Sequence, residues 1–277
     1  MKRGIAGRIA FNLLAWAVVS ITAFPLIWMV ITSVKPQFEL FRIPPTFWPE
    51  SVTFEHYVRL LTETPFLLYM RNSLVLSTAT TVLVVAVATL GAHSLVRFRY
   101  RGREALARLV LFTYLLPSVV LLLPLYLMMV WLGVANSLLS LVIAYTTFAL
   151  PYALWLLRSF MQGIPDDLEA AALVDGASRM EAFFDVILPQ ALPGIISTSL
   201  FTFILSWNEY LYALVLVNTD SARPLTTGVM SMLISAFNIE WSLLMAASVM
   251  MSLPLIIIFA FLQSYLTRGF GAGGVKG

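Results

Sequence analysis

Five long stretches of this chain carry no charged side chain: Ile9–Val34, Asn72–Val96, Leu109–Leu157, Val186–Asn208 and Trp241–Thr267. A hydrocarbon layer ~30 Å thick is crossed by about 20 helical residues at 1.5 Å rise each. Backbone polar groups inside lipid must be bonded within the segment itself, so runs of this length are helices. The third is too long for one crossing and breaks at Gly133-Val134-Ala135-Asn136. The reading is therefore an all-α polytopic membrane protein with six spans, at about 9–33, 72–96, 109–131, 138–158, 194–217 and 242–267. Pro25, Pro117, Pro124, Pro151 and Pro254 fall inside these runs, where each removes a backbone donor and can kink its helix.

Composition agrees with lipid as the solvent. Hydrophobic residues make up 60% of the chain and charged residues 11%, against about 25% charged in soluble domains. The first run exceeds the ~7–15 apolar residues of a signal peptide, and no small-residue cleavage pattern closes it. It is read as an uncleaved first span. With no cysteine and only two histidines, His56 and His93, far apart, no disulfide framework or metal site is expected.

The basic residues lie beside the apolar runs rather than on one soluble face, which argues for membrane topology and against a nucleic-acid partner. With the amino terminus inside, 12 of the 17 Lys and Arg residues fall on inner segments: Lys2, Arg3, Arg8, Arg97, Arg99, Arg101, Arg103, Arg108, Arg158, Arg179, Arg268 and Lys276. Five remain outside: Lys35, Arg42, Arg59, Arg71 and Arg223. Both termini are thus expected in the cytoplasm. Two long outer segments follow, about 35–71 and 218–240, the first with prolines and aromatics suited to a cap at the membrane interface. With no internal repeat or linker, 1–277 reads as a single domain.

The longest inner segment, about 161–190, carries the most specific local signals. Pro165 suits a first helical turn, and Asp166, Asp167 and Glu169 suit its positive end. Ala170, Ala171 and Ala172 combine high helix propensity with little bulk. Gly176, after Asp175 and before Ala177, is placed to end the helix in a left-handed conformation. Ser178-Arg179-Met180-Glu181 matches a capping box that starts a second short helix, running towards Leu188-Pro189. The result is a compact helix–turn–helix with a small-residue surface, open to two uses: a well-capped loop, or a docking site for another protein.

Within the fifth span, about 194–217, Trp207-Asn208-Glu209-Tyr210 puts an acid inside the membrane, where ionisable groups face a cavity or a partner. Either the group lines a path for a hydroxyl-rich solute, or Glu209 bonds a neighbouring helix. The tail holds Gly273, Gly274 and Lys276 and is read as flexible. No G-x-x-x-x-G-K-[ST] phosphate loop occurs, so the chain itself is not expected to be an enzyme that hydrolyses a nucleotide.

The cytoplasmic segment resembles the EAA loop of the binding-protein-dependent ABC transporter permeases, of the form E-A-A, three residues, G, nine residues, I-x-L-P. Ala170-Ala171-Ala172, Gly176 and Val186-Ile187-Leu188-Pro189 stand at those distances, and Asp175 to Ser178 with Pro193 is similar to the carbohydrate branch. One position departs: the motif's own glutamate is Ala170, and the acid stands one residue earlier, at Glu169. Ser33-Val34-Lys35-Pro36, Arg71-Asn72-Ser73, Trp207 to Leu211 and the tail from Arg268 extend the resemblance to maltose-type permeases over nearly the whole chain.

The resemblance implies a sugar importer's permease subunit in the bacterial cytoplasmic (inner) membrane. It implies half of a translocation pore, completed by a second homologous permease, with two ATPase subunits and a periplasmic or lipid-anchored sugar-binding protein. Glu169, Ala170, Ala171, Ala172, Asp175, Gly176 and Ala177 would couple to the ATPase, and the tail would reach it. The chain would hold no cofactor, ATP and magnesium being expected in the ATPase partner. The competing expectation is a secondary transporter or channel driven by an ion gradient, which accounts for the spans and Glu209 but for neither the capped loop nor the tail.

Overall fold

A computed structural model of the chain describes residues 5–233 and 240–273. Its described residues are nearly all helical, with no strand. In order the helices are α1 Ile5–Ser33, α2 Gln37–Leu40, α3 Glu55–Thr62, α4 Phe66–Arg97, α5 Arg103–Tyr114, α6 Ser118–Trp131 and α7 Leu138–Gln162. There follow α8 Asp166–Val174, α9 Arg179–Glu181, a π-helical turn Ala182–Ile187, α10 Leu188–Asn208, α11 Leu211–Leu216, α12 Leu225–Leu233 and α13 Trp241–Gly273. Five helical segments among the described residues are long and apolar enough to cross a membrane, and α5 with α6 makes a sixth if that bent pair is one span.

Two spans depart most from the sequence reading. Residues 109–131 are not one rod, because α5 and α6 meet at 97°. Pro117 has no N–H to give and takes φ −57°, ψ 126° ahead of α6, and a proline disfavours helical geometry at the residue before it. At 12 and 14 residues, the two pieces are about 18 and 21 Å long. Each is shorter than the hydrocarbon layer, so the pair crosses together or not at all.

The fifth span starts earlier and ends earlier than 194–217. Helical backbone runs without interruption from Arg179 to Asn208, and Glu209 is already extended at ψ 130°. No glycine or turn sequence interrupts residues 179–193, so the helix begun by the Ser178 cap continues into the membrane. The π turn lies just before Pro189 and Pro193, which take two donors out of the ladder. A wider turn there relieves the ring–carbonyl clash that proline imposes on a regular helix.

Contacts divide the chain into two compact units: Met1–Leu67 with Val229–Pro254, and Leu68–Gly228 with Leu255–Gly277. In the first unit α1 exposes most of its apolar side chains, as suits a helix facing lipid. The segment after α1 is tied down by a buried Lys35, whose ammonium donates to the Thr46 carbonyl and hydroxyl, lies 3.8 Å from Glu39 and sits over the Trp28 ring. Arg59 forms a forked pair with Glu240, at 2.9 and 3.3 Å.

In the second unit α7 is the central post. Its buried Ala144, Ala149, Ala153 and Leu157 join two apolar clusters, and α5, α6, α10 and α11 all pack on it. The α7–α10 approach rests on Gly194, where an added Cβ would stand 2.5 Å from Phe160 Cγ. Small residues bring membrane helices together in this way. At the connection before α7, Asn136 takes the left-handed φ of 60°. Its carboxamide oxygen accepts from the Asn218 and Thr219 backbone N–H groups and the Thr219 hydroxyl.

Two outcomes follow from these contacts. Gly194→Ala forces the α7–α10 pair apart and lowers stability by about 1–3 kcal/mol, read as a fall in detergent melting temperature that Phe160→Ala in the same chain partly reverses. The Thr46 hydroxyl, the Glu50 N–H and the Lys35 ammonium hold the Glu39 carboxyl below its ordinary range. A depressed folded-state pKa contributes stability above the ordinary carboxylate value of ~4.3, lost as the pH falls through the folded value. Melting curves between pH 3 and 6 therefore lose part of their acid dependence in Glu39→Gln.

Candidate functional site

The helix–turn–helix at about 161–190 forms from the local signals read in the sequence. Pro165 stands at the head of α8 with φ −57° and ψ 135°, and three acids occupy the first turn. The helix closes through Asp175 N–H to the Ala171 carbonyl at 2.9 Å and Ala177 N–H to the Ala172 carbonyl at 3.0 Å. Between them Gly176 has φ 95°, with nothing within 4 Å of where a Cβ would be. Only its backbone conformation calls for glycine. Ser178 Oγ accepts from the Glu181 N–H at 3.3 Å, and the Glu181 carboxylate accepts from the Ser178 N–H at 2.7 Å, a complete capping box. The chain then passes through the π turn, whose Ala182, Phe183 and Ile187 are buried, into α10.

The seven hairpin residues singled out in the sequence divide between two faces. Ala170, Ala171, Asp175 and Gly176 are exposed, Ala172 and Ala177 are half-buried, and Glu169 is buried. The exposed face also carries Val174, 86% accessible, and Met180, 65%. Glu169 turns instead towards the carboxyl-terminal end of α4. Arg97 Nε lies 3.1 Å from one Glu169 oxygen, and His93 Nε2 lies 3.7 Å from the other. Arg97 also donates to Asp166 and, at 2.9 Å, to the Ile164 carbonyl. The His93 ring is flanked by Phe183 at 4.7 Å and Phe98 at 5.5 Å.

Sequence reasoning placed neither Arg97 nor His93 at this site, and read Asp166 only as an acid suited to the first turn of the helix. Arg97 is 72 residues from Glu169 (169 − 97), and in the sequence its charge was already accounted for by topology. The available signal was a basic residue ending a span opposite a short acidic helix.

The second candidate group lies at the break in the fifth span. Trp207 is buried and stacked on Phe203 at 5.7 Å, while Asn208 and Tyr210 are exposed. The half-buried Glu209 carboxylate accepts from the Tyr212 N–H at 3.0 Å and the Ala213 N–H at 3.2 Å, at the start of α11. Its own carbonyl accepts from the Thr226 hydroxyl at 2.8 Å. An acid at the positive end of a broken helix is a favourable arrangement. It therefore caps the short helix that follows it in the chain. Gly273 ends α13, and Gly274 and Lys276 lie outside the described residues.

Residues 84–271 match the family described as "Binding-protein-dependent transport system inner membrane component". The chain is 36% identical over 259 residues to the inner membrane ABC transporter permease protein YcjP of Escherichia coli, covering 93% of this chain and 92% of that one. It is 33% identical over 277 residues to the diacetylchitobiose uptake system permease protein DasC of Streptomyces coelicolor, and 32% over 284 residues to the trehalose/maltose transport system permease protein MalG of Thermococcus litoralis. Both matches cover each chain in full. The fold is also that of a chain in a bacterial ABC transporter for import of the acidic polysaccharide alginate, with TM-score 0.83, 21% identity, and 96% of this chain and 99% of that one covered.

The cap geometry sets an expectation for Glu209. Glu209→Ala leaves the start of α11 without its acceptor and lowers stability by about 1 kcal/mol, read as a shift in detergent melting temperature. Solute affinity should stay unchanged. A several-fold rise in transport KM with unaltered melting would assign the carboxylate to the solute path instead.

Proposed function

Because the chain belongs to the binding-protein-dependent transport system inner membrane components, we propose that it is the permease subunit of an ATP-driven sugar importer, forming half of its translocation pore. The observation that carries the coupling part of this reading is the capped hairpin, whose exposed small-residue face is joined through the π turn to a long membrane helix. Relatives named for diacetylchitobiose uptake and trehalose/maltose transport, matched over their full length, support an oligosaccharide as the solute. Family membership removes the ion-gradient-driven carrier as the alternative.

On this reading the chain sits in the bacterial cytoplasmic membrane with both termini inside, an orientation supported by the excess of Lys and Arg on the inner segments. A second homologous permease completes the pore, and two ATPase subunits dock beneath it, holding the ATP and magnesium. A periplasmic or lipid-anchored protein delivers the sugar, in keeping with the family's dependence on a binding protein. Ala170, Ala171, Asp175 and Gly176 form the exposed part of the docking face, with Ala172 and Ala177 supporting it from half-buried positions. Closure of the ATPase dimer moves the hairpin as one body. That movement drives transport only because the hairpin's contacts differ between inward- and outward-facing states.

Gly176→Val tests the rigid turn. A β-branched residue held at φ near 95° is strained by about 1–2 kcal/mol, so the turn loosens. The assembled complex, inserted normally, should then lose the ATP hydrolysis that maltose, trehalose or diacetylchitobiose evokes with its binding protein. Unchanged stimulation would discard the hairpin as the coupling element.

A further inference from the structure

We infer that Glu169 is a positioning residue, fastening the coupling helix α8 to the inner end of α4 through Arg97 rather than touching the ATPase; the inference rests on the importer reading for what the fastening transmits. The side chains of Arg97 and Glu169 are 6% and 11% exposed, so neither is available to a docked protein as the chain stands. One residue is about 100° of helix rotation. An acid at position 170 would stand on the exposed face with Ala171, whereas the acid at 169 faces α4. This chain has only the inward-facing one.

The contacts explain why an arginine does the fastening. Its planar fork presents several donors at once. Here one terminal nitrogen engages Asp166, the other reaches the Ile164 carbonyl at 2.9 Å, and Nε opposes Glu169 at 3.1 Å. Three points on the segment 164–169 are thereby held by one side chain of α4. Nε and the facing oxygen lack the alignment of a hydrogen bond, so that contact is an attraction between charges, strengthened by poor access of water. His93, one turn back along α4, closes the other side of the carboxylate at 3.7 Å, under the Phe183 ring of the π turn.

This second attachment changes what the hairpin can do. A helix of 9 residues is too short to hold its own shape in water, and it packs on the π turn leading to α10. Pinned on that side alone, it can swivel. Pinned also to α4, it passes a displacement to two membrane helices together. Removing one charge of a buried pair leaves the other without compensation, so the fastening should fail when either member is neutralised.

The test uses the full complex and the absence of cysteine in this chain. Nitroxides placed by Leu90→Cys and Val174→Cys report the α4–α8 distance by pulsed electron paramagnetic resonance. In Glu169→Gln that distance distribution should broaden while the ATPase still co-purifies at the wild-type ratio. The ratio of stimulated to basal ATP hydrolysis, with maltose, trehalose and diacetylchitobiose supplied together with the binding protein, should fall about tenfold. Arg97→Glu combined with Glu169→Arg restores opposite charges and should recover part of both signals, which separates a lost pairing from a damaged fold. Loss of the ATPase from Glu169→Gln with an unchanged distance distribution would make Glu169 a direct contact and overturn the inference. So would an unchanged hydrolysis ratio. A wild-type chain that binds no ATPase defeats the importer reading, and the nitroxide distances still decide the fastening.

Discussion

A helix in hydrocarbon can stop or bend only where something other than water takes up the backbone groups it frees. The constraint accounts for three irregular points among the described residues. At the Glu209–Tyr210 break the freed N–H groups of α11 meet the Glu209 carboxylate. At the connection before α7 the Asn136 carboxamide accepts from Asn218 and Thr219. At the inner face, the end of α8 folds back onto its own carbonyls through Gly176 and Ala177. Each of these three interruptions comes with a polar side chain or a glycine whose chemistry permits it, and the break before α6 comes with Pro117.

The same constraint explains what was legible in the sequence. Uncharged length gave the number of spans, and the fold reading of an all-α membrane protein holds because few other structures satisfy such segments. The hairpin caps were legible because they are local: Pro165, Gly176 and the Ser178–Glu181 box act within a few residues. The 97° turn before α6 was legible only as a possible kink at Pro117, because a proline opens a bend whose angle is set by packing against α7. The early start of the fifth span was missed for a different reason. The short helix begun at the Ser178 cap was read as running towards Leu188-Pro189 and as separate from the span, yet Arg179, Glu181 and Asp185 form the solvent-side turns of a helix that continues through both prolines.

The candidate site divides along the same line. That Ala170 and Ala171 share an exposed face follows from helical spacing. That Glu169 turns to α4 does not, since it depends on a partner 72 residues away and on the depth at which α4 ends. Glu209 is the converse case. Its intramembrane charge was legible in the sequence, and its bonds to the Tyr212 and Ala213 N–H groups, four residues away or nearer, became plain only with the break in the helix. Buried charge identifies where a chain is constrained, and only the partners say for what purpose.

The π turn has a consequence for helical phase. A regular helix advances 100° per residue, and the wider turn at Ala182–Ile187 holds back the register of everything after it. The side of the rod bearing Phe183 and the side bearing Trp207 are therefore offset from what an unbroken α-helix would give. Deleting one residue inside that turn would let the rod relax to regular winding. The five residues left would advance about as far around the axis as the six do in the wider turn, so the hairpin would keep its bearing beneath the bundle, whereas winding all six regularly would swing it by about 100°.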